Sequence, residues 1–357
     1  MGVRKVGIIH HEKFKQYDLG PTHPFRGDRF VRAMDFLEER GLLDLPNVSV
    51  FKPETAGKDD LLTVHTEEYV DYIFKLAEAG EPYDLDTPVS KPILEALMLI
   101  IGGALMVGRL IYSGEVDRVV LLGGGFHHAG RDYGGGFCLF NDIAILVERL
   151  RRKYGVKRIL ILDYDVHFGN GTSSIYYRDP TVLFISLHQD PRTIYPGTGF
   201  VTEIGEGEGE GFNVNIPLPP RTGEKAYLHI FREVFIPLAE EFKPEIIIGN
   251  GGSDAHFADS LGSLGLTTKG FFEISKTVSE VADRVCGGRV VLMVGSGYNP
   301  KVLPHCWYAL ISGLTGLEEL GLEDPYPPPR DPWQNIEYVK KILNEIRAVL
   351  GKYWRKL

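Results

Sequence analysis

The sequence alternates short apolar segments, rich in β-branched residues, with longer amphipathic segments. In chain order the apolar segments read KVGII, DRVVLLGGG, RILILDYD, TVLFISLH, EIIIGNGG and RVVLMVGSG. Most of them are apolar throughout, which is typical of strands that are covered on both faces. The segments between them, such as NDIAILVERLRRKYG, have the spacing of amphipathic helices. This alternation predicts an α/β fold in which one parallel sheet has helices on both faces.

We expect a single domain over residues 1–357, because no linker, internal repeat or low-complexity tract divides the chain. An α/β fold of this length is often one domain. The proline-rich segment DPYPPPRDPW leads into a last helix. The domain would therefore consist of a core of about 4–315 and a C-terminal helical extension of about 330–357.

Charge and cysteine content restrict the class of partner. The net charge of −9 argues against broad contact with a nucleic-acid backbone, although it does not exclude a cationic substrate. The three cysteines, Cys138, Cys286 and Cys306, are too few for a disulfide framework and suit a reducing cytoplasm. The N-terminal segment reads as a first strand and not as a signal peptide. We therefore expect a cytoplasmic protein, and homo-oligomerisation stays open.

The most apolar segment of the chain is ILEALMLIIGGALMVGRLIY. Four residues interrupt it: Glu95, Gly102, Gly103 and Arg109. A membrane span needs about 20 nearly uncharged residues. The segment is therefore expected to be a buried helix, and no membrane partner is expected.

Polar clusters follow five of the apolar segments. They are GGGFHH, DYDVH, SLHQD, NGGSDAH and GSGYN. In open α/β sheets, ligands bind beyond the carboxyl ends of the strands. The active site is therefore expected at the C-terminal ends of the predicted strands.

The segment ILDYDVHFGNGT places Asp163, Asp165 and His167 at alternate positions, directly before a glycine-rich turn. In an extended segment, alternate residues point to the same side. Two carboxylates and an imidazole would then share one face. Crowded carboxylates repel one another unless a positive charge lies between them, so the segment indicates a cation site.

The clusters belong to longer blocks: GGGFHHAGRDYGGGFCLFNDIAI, DYDVHFGNGT, SLHQDPRTIYPGTG, GGSDAHFADSLGSLGLT and GSGYN. On these blocks the chain resembles the histone deacetylase superfamily, including the acetoin-utilization-type and polyamine deacetylases of bacteria and archaea. The resemblance covers nearly the whole length. It implies the arginase/deacetylase α/β fold, one catalytic divalent metal, usually Zn²⁺, and hydrolysis of an N-acetyl amide. Ligands rich in carboxylate would also admit Fe²⁺ or Co²⁺.

The resemblance also implies metal ligands. Asp165, His167 and Asp254 match the three protein ligands, which leaves an open position for chemistry. Asp163 matches the carboxylate that is paired with His127. The implied structural potassium site is formed by Asp163, Asp165, His167, Ser186 and Leu187.

Three further residues match catalytic positions of the family. By analogy His128 is the general base that takes a proton from the attacking water, and His127 is an electrostatic aid or a proton donor. The division of roles between them stays open. Tyr298 matches the tyrosine whose hydroxyl donates to the developing oxyanion. Asn170 stands where one branch of the family has Asp, and this neutral partner would favour a neutral His128, as a base must be.

A narrow substrate channel is implied as well. Its walls would be formed by Phe137, Gly136, Tyr195 and Leu261, whose surfaces suit a slim alkyl chain such as that of acetyl-lysine. Asp86 resembles the carboxylate at the rim that holds the substrate backbone. The spacing requires a one-residue shift, so Asp84 is a rival for this role.

The sequence departs from the family pattern at two positions. Phe168 replaces a second histidine that many relatives carry, and we expect it to pack outside the metal site. Ser296 interrupts the usual run of glycines before the tyrosine. The pair His256 and Asp259 could suggest a ureohydrolase with two manganese ions. Residues 168–170 supply no carboxylate for a second ion, so a mononuclear site is favoured.

Three functions remain open at this point. Deacetylation of acetyl-lysine in proteins or peptides is favoured, because the short segment between HTEEYVDYIF and DLDTP has no insertion that would restrict the channel mouth. The alternative is deacetylation of small acetylated amines such as acetylpolyamines. A catalytically inert module that binds acyl-lysine is disfavoured, because every matched metal ligand and the tyrosine are present.

Overall fold

The computed structural model describes residues 4–316 and 321–357. Over these ranges the chain forms one eight-stranded sheet in the order β2-β1-β3-β8-β7-β4-β5-β6. Every neighbouring pair in the sheet is parallel. The strands are β1 Val6–Ile9, β2 Val48–Phe51, β3 Arg118–Leu122, β4 Ile159–Asp163, β5 Val182–Gln189, β6 Asn213–Leu218, β7 Ile246–Gly251 and β8 Val290–Val294.

Helices fill most of the connections between the strands. In the described ranges they are α1 Asp28–Glu39, α2 Lys58–Leu61, α3 Glu67–Ala79, α4 Lys91–Tyr112, α5 Asp142–Tyr154, α6 Asn170–Tyr176, α7 Glu224–Phe242, α8 Thr268–Val285, α9 Leu303–Thr315 and α10 Ile336–Leu350. All residues of β3, β4, β7 and β8 are buried. Successive strand residues point to opposite faces, so both faces of the sheet are covered. The predicted α/β fold with a parallel sheet is confirmed.

Two strands were not among the predicted segments, and both lie at an edge of the sheet. Edge strand β2 exposes Ser49 and Val50 and therefore lacks a continuous apolar pattern. The opposite edge strand, β6, contains two asparagines and Pro217. Proline donates no backbone hydrogen bond and is tolerated at sheet edges. Their sequences are therefore less strand-like than those of the central strands.

Helix α4 is the apolar segment that was expected to be buried. Within the described ranges it is the single helix long and apolar enough to cross a membrane, and 78% of its most apolar window is buried inside the protein. Its contacts explain the glycines in its sequence. A side chain at Gly102 would collide with the backbone carbonyl of Glu54, and one at Gly103 would lie 2.6 Å from Leu121. The helix is thus part of the core, as predicted.

The strand order brings four polar strand ends together. Strands β8 and β7 lie between β3 and β4 at the centre of the sheet, although β4 is the next strand after β3 along the chain. Their carboxyl ends lead into 123–128, 295–298, 252–254 and 164–167. Crevices of this kind, where the strand order reverses, are where α/β sheets bind ligands. Residues far apart in sequence therefore meet at one edge.

The C-terminal segment packs on the outer part of the sheet. After α10, Trp354 is 6% exposed and its indole Nε1 donates to the carbonyl of Gly211 at 2.7 Å. Its ring meets Phe212 and Phe242 edge-on, at centroid distances of 5.2 Å and 6.3 Å. This ring cluster ties α10 to the segment before β6 and to the end of α7.

Replacing Trp354 tests how much this contact contributes. Trp354→Ala should lower the free energy of unfolding by about 3 kcal/mol, because large-to-small substitutions of buried aromatic residues leave a cavity. Trp354→Phe keeps a ring and should lose about 1 kcal/mol for the missing hydrogen bond and the smaller ring. Denaturant unfolding measures both values. Equal stability of wild type and Trp354→Ala would mean that the C-terminal segment does not stabilise the domain.

Candidate metal centre and catalytic site

Strand β4 ends at Asp163, and the following residues bend. Asp165 and His167 therefore do not continue one extended face, and this part of the sequence prediction was wrong. The bend is held by carboxylates that accept backbone N–H groups: Asp163 Oδ1 from Asp165 at 3.3 Å, and Asp165 Oδ1 from His167 at 2.8 Å. The bend directs the carboxylate of Asp163 toward His127, while Asp165 and His167 meet Asp254.

Asp165, His167 and Asp254 converge from the ends of β4 and β7. One candidate ligand atom from each lies within 4.8 Å of the other two, and all three residues are buried. Among the described residues, Asp254 Oδ2 has no hydrogen-bond partner although it is buried. An unpartnered buried carboxylate oxygen costs several kcal/mol unless a cation or donor meets it. The donor set fits a divalent cation such as zinc.

The electrostatics of this cluster favour positive charge. Burial and the nearby Asp165 raise the pKa of Asp254 to about 7. Burial lowers the pKa of His167, but the hydrogen bond to Asp165 and the negative charges of Asp165 and Asp254 outweigh this effect and raise it to about 10. The two carboxylates thus repel one another and attract a cation. The candidate cation site therefore lies between the ends of β4 and β7, and not on one extended face of β4.

The tandem histidines have different partners. His127 Nδ1 donates to Asp163 Oδ2 at 2.8 Å, and His128 Nδ1 donates to Asn170 Oδ1 at 2.6 Å. Burial lowers both pKa values. For His127 the negative charges of Asp163 and Asp165 outweigh the effect of burial and raise the pKa to about 9. For His128 the nearby His127 and His167 lower the pKa further. His127 is therefore protonated near neutral pH, and His128 is neutral with its Nε2 free to accept a proton.

Tyr298 lines the same cavity as the tandem histidines and two of the cluster residues, Asp165 and His167. The cavity is lined by Phe25, Gly123, Gly124, Gly125, Phe126, His127, His128, Gly136, Phe137, Cys138, Asp165, His167, Gly295, Ser296 and Tyr298. Burial raises the pKa of Tyr298 well above its usual value, so its hydroxyl stays protonated and can donate. Its ring meets that of Phe137 edge-on at 5.8 Å.

Phe137 and Gly136 form one side of the cavity entrance. Phe137 has a φ of 69°, in the left-handed region, and its carbonyl accepts a hydrogen bond from Tyr17 Oη at 2.6 Å. Tyr195 is 49% exposed, and its ring packs edge-on against His128 at 4.9 Å. A Cβ at Gly136 would lie 2.5 Å from His128 and 3.0 Å from Tyr195, so Tyr195 and His128 both pack closely around this glycine.

Of the predicted substrate contacts, Gly136 and Phe137 line the cavity, whereas Tyr195, Leu261 and Asp86 lie outside its lining. Leu261 is 37% exposed, and its loop is tied to that of Tyr298 through Asp259. Asp86 lies at the entrance, because its carbonyl accepts a hydrogen bond from His23 Nε2 at 3.1 Å and the ring of His23 packs on Phe137. The carboxylate of Asp84 accepts the backbone N–H of Asp86 at 3.0 Å. Both candidates for the carboxylate at the channel rim therefore lie on one short loop.

The residues of the expected potassium site are adjacent. Asp163 on β4 is the register partner of Ser186 on β5. Ser186 is hydrogen-bonded to His188 at 2.8 Å, and Leu187 is buried. Phe168 packs against His188 and Phe184, at ring distances of 5.0 Å and 6.2 Å. The potassium ion itself stays a prediction.

Several supporting residues could not be identified from the sequence. The carboxylate of Asp142 accepts the backbone N–H groups of Gly125 and Phe126, which fixes the turn before the histidines. Asp259 accepts the N–H of Tyr298 at 2.7 Å, so it positions the tyrosine loop. His256 pairs with Asp324 at 3.0 Å. His256 and Asp259, the possible ligands of a second metal ion, thus bind other protein groups.

Known proteins share this architecture. Residues 23–314 match the histone deacetylase domain family. A probable deacetylase of Archaeoglobus fulgidus is 36% identical over 98% of this chain and 99% of its own length. The acetoin utilization protein AcuC of Bacillus subtilis is 33% identical over 88% of this chain and 84% of its own.

A solved structure gives the same result. The crystal structure of the HDA15 HD domain superposes with a TM-score of 0.86 and 27% identity, covering 99% of this chain and 96% of that one. The family match spans most of the chain, and the relatives align over nearly their full length. The chain belongs to the histone deacetylase family.

Proposed function

We propose that this protein is a zinc-dependent hydrolase that deacetylates acetyl-lysine in proteins or peptides. The observation that carries the proposal is the meeting, at one cavity, of an Asp–His–Asp cluster of which Asp165 and His167 line the cavity, one charged and one neutral histidine, and a protonated tyrosine. Family membership supports deacetylation. The buried, unpaired cysteines support a cytoplasmic location.

Asp165, His167 and Asp254 would hold the divalent ion. When bound, the ion supplies a Lewis acid that polarises the amide carbonyl and activates water. Zinc suits two carboxylates and one imidazole with an open position, and Fe²⁺ or Co²⁺ would be accepted by the same donors. A potassium ion beside Asp163 and Ser186 would be structural.

The remaining steps belong to side chains of this protein. His128 Nε2 takes a proton from the attacking water, since its Nδ1 proton is held by Asn170. Tyr298 donates its hydroxyl to the oxyanion that develops on the acetyl oxygen. His127, kept cationic by Asp163, stabilises this negative charge and can donate a proton to the departing amine. The products are acetate and the free lysine amine.

The entrance supports a lysine side chain on a larger substrate. Phe137 and Tyr195 offer aromatic surfaces to an alkyl chain, and Asp86 and Asp84 lie on the loop beside them. Asp86 would hold the substrate backbone. The loop between α3 and α4 is short, which leaves the entrance open to a peptide. Small acetylated amines such as acetylpolyamines are the alternative substrates.

A substrate panel tests this proposal. The protein loaded with zinc, iron or cobalt is assayed with acetyl-lysine peptides, acetylpolyamines and simple acetamides. We expect the highest kcat/KM for the peptides. Faster turnover of an acetylpolyamine would indicate that small acetylated amines are the substrates. Binding of the acetyl-lysine peptide without turnover in any metal form would indicate an inert binding module.

Tyr298→Phe separates the tyrosine from the metal. The change removes one hydroxyl and keeps the ring, so metal content should stay at the wild-type level. Loss of an oxyanion donor typically lowers kcat about 10²–10³-fold, with little effect on KM, because the lost bond forms mainly in the transition state. Steady-state kinetics and metal analysis on one preparation measure this. A defect that tracked metal loss would contradict the assigned role.

Asn170→Asp tests which histidine is the base. A carboxylate beside His128 favours its protonated form, so the apparent pKa of the acidic limb of kcat/KM should rise by about 1–3 units. Activity near neutral pH should fall accordingly, because less of the base is neutral. The pH profile is measured for both proteins, and the basic limb serves as the internal control. An unmoved acidic limb would mean that His128 is not the group it reports.

A further inference from the structure

The turns that follow β3 and β8 contribute to the lining of the catalytic cavity. Gly136, Phe137 and Tyr298, on the entrance side, are partly exposed. Another part of the lining consists of Phe25 and of the turns after β3 and β8, in which Gly123, Gly124, Phe126 and Gly295 are buried and Gly125 and Ser296 are partly exposed. We refer to this part of the lining as the cavity floor. The glycines leave space there because they have no side chains.

In the turn after β8, Ser296 stands between two glycines, Gly295 and Gly297. A side chain at Gly295 would place its Cβ 2.5 Å from the carbonyl oxygen of Gly124, and one at Gly297 would collide with Ser253 Oγ. Both flanking positions are therefore limited to glycine by close contacts. Position 296 accommodates a side chain, and this side chain lines the cavity.

The backbone of Ser296 is fixed by two hydrogen bonds. Its carbonyl accepts one from Trp307 Nε1 at 3.2 Å and one from the backbone N–H of Ser253 at 3.1 Å. Its Oγ is buried, and within the part of the chain that the structure describes it has no hydrogen-bond partner. The hydroxyl is thus a polar group on the floor that protein atoms do not satisfy.

We propose that Ser296 determines which acyl group the enzyme removes, and that it limits the substrate to acetyl and similarly short acyl chains. The inference rests on the proposed function. With the lysine chain lying between Phe137 and Tyr195 and the carbonyl beside Tyr298 and the ligand cluster, the remaining substituent of the carbonyl carbon must point to the floor. An acetyl methyl leaves room for the Ser296 hydroxyl to stay hydrated.

A longer acyl chain meets two obstacles at Ser296. The added methylenes take up space beside its Cβ and Oγ, and close-packed sites tolerate added atoms poorly. They also displace the water that would satisfy the hydroxyl, which leaves a buried polar group without a partner. Both effects act against propionyl and butyryl groups and leave acetyl unaffected.

The test measures kcat/KM of wild type, Ser296→Ala and Ser296→Gly on one peptide that carries acetyl-, propionyl- or butyryl-lysine. In Ser296→Gly the ratio of kcat/KM for butyryl to that for acetyl should rise about tenfold, in line with the usual discrimination per methylene in a pocket. Ser296→Ala removes only the hydroxyl and should give a smaller rise. Ser253→Ala removes another buried, unpartnered hydroxyl that does not line the cavity, and it should leave the ratio unchanged.

Calorimetric affinities for acetate and butyrate provide a readout that needs no turnover. The preference for acetate over butyrate should weaken in Ser296→Gly. Circular dichroism checks that this variant keeps the wild-type fold. If it unfolds, Ser296→Ala supplies the same comparison. Unchanged butyryl-to-acetyl and butyrate-to-acetate ratios would overturn the role of Ser296. A wild-type protein that does not hydrolyse the acetyl peptide would overturn the proposed function instead, while the calorimetric ratio would still decide the role of Ser296.

Discussion

The site depends on the burial of carboxylates of like charge at the ends of two adjacent strands. Asp163 and Asp254 are fully buried and Asp165 is 3% exposed, so solvent screens their repulsion poorly. Each needs a positive partner. Asp163 has His127, whereas Asp165 and Asp254 face His167 and the space that a cation would fill. The charge states of the other site residues follow from this arrangement.

The two histidines illustrate this dependence. They are adjacent in sequence and their rings lie 4.1 Å apart, so both cannot easily be charged. Asp163 fixes the positive charge on His127, and Asn170 offers His128 no compensating charge. The electrostatics therefore favour the division of roles that we propose, in which a cationic His127 supplies charge and a neutral His128 accepts the proton.

The sequence predicted the structural features that depend on local residue patterns better than those that depend on contacts between distant parts of the chain. The buried central strands and the polar residues after them could be predicted from apolar patterns and a family resemblance. Edge strands β2 and β6 lack that pattern, and the bend after Asp163 arises from carboxylates that accept backbone N–H groups. Asp142 and Asp259 act on backbone groups 16 to 40 positions away, which no local motif encodes. Ser296 was visible only as a departure from glycine, and its cavity contact required the fold.

We propose that the Asp165–His167–Asp254 cluster binds one divalent cation. Anomalous diffraction from crystals of the protein, collected above and below the zinc absorption edge, would locate this ion. We expect a single strong peak about 2.0–2.2 Å from one atom of each of the three side chains. A peak bound instead by His127 and His128, or two peaks sharing Asp254, would contradict it.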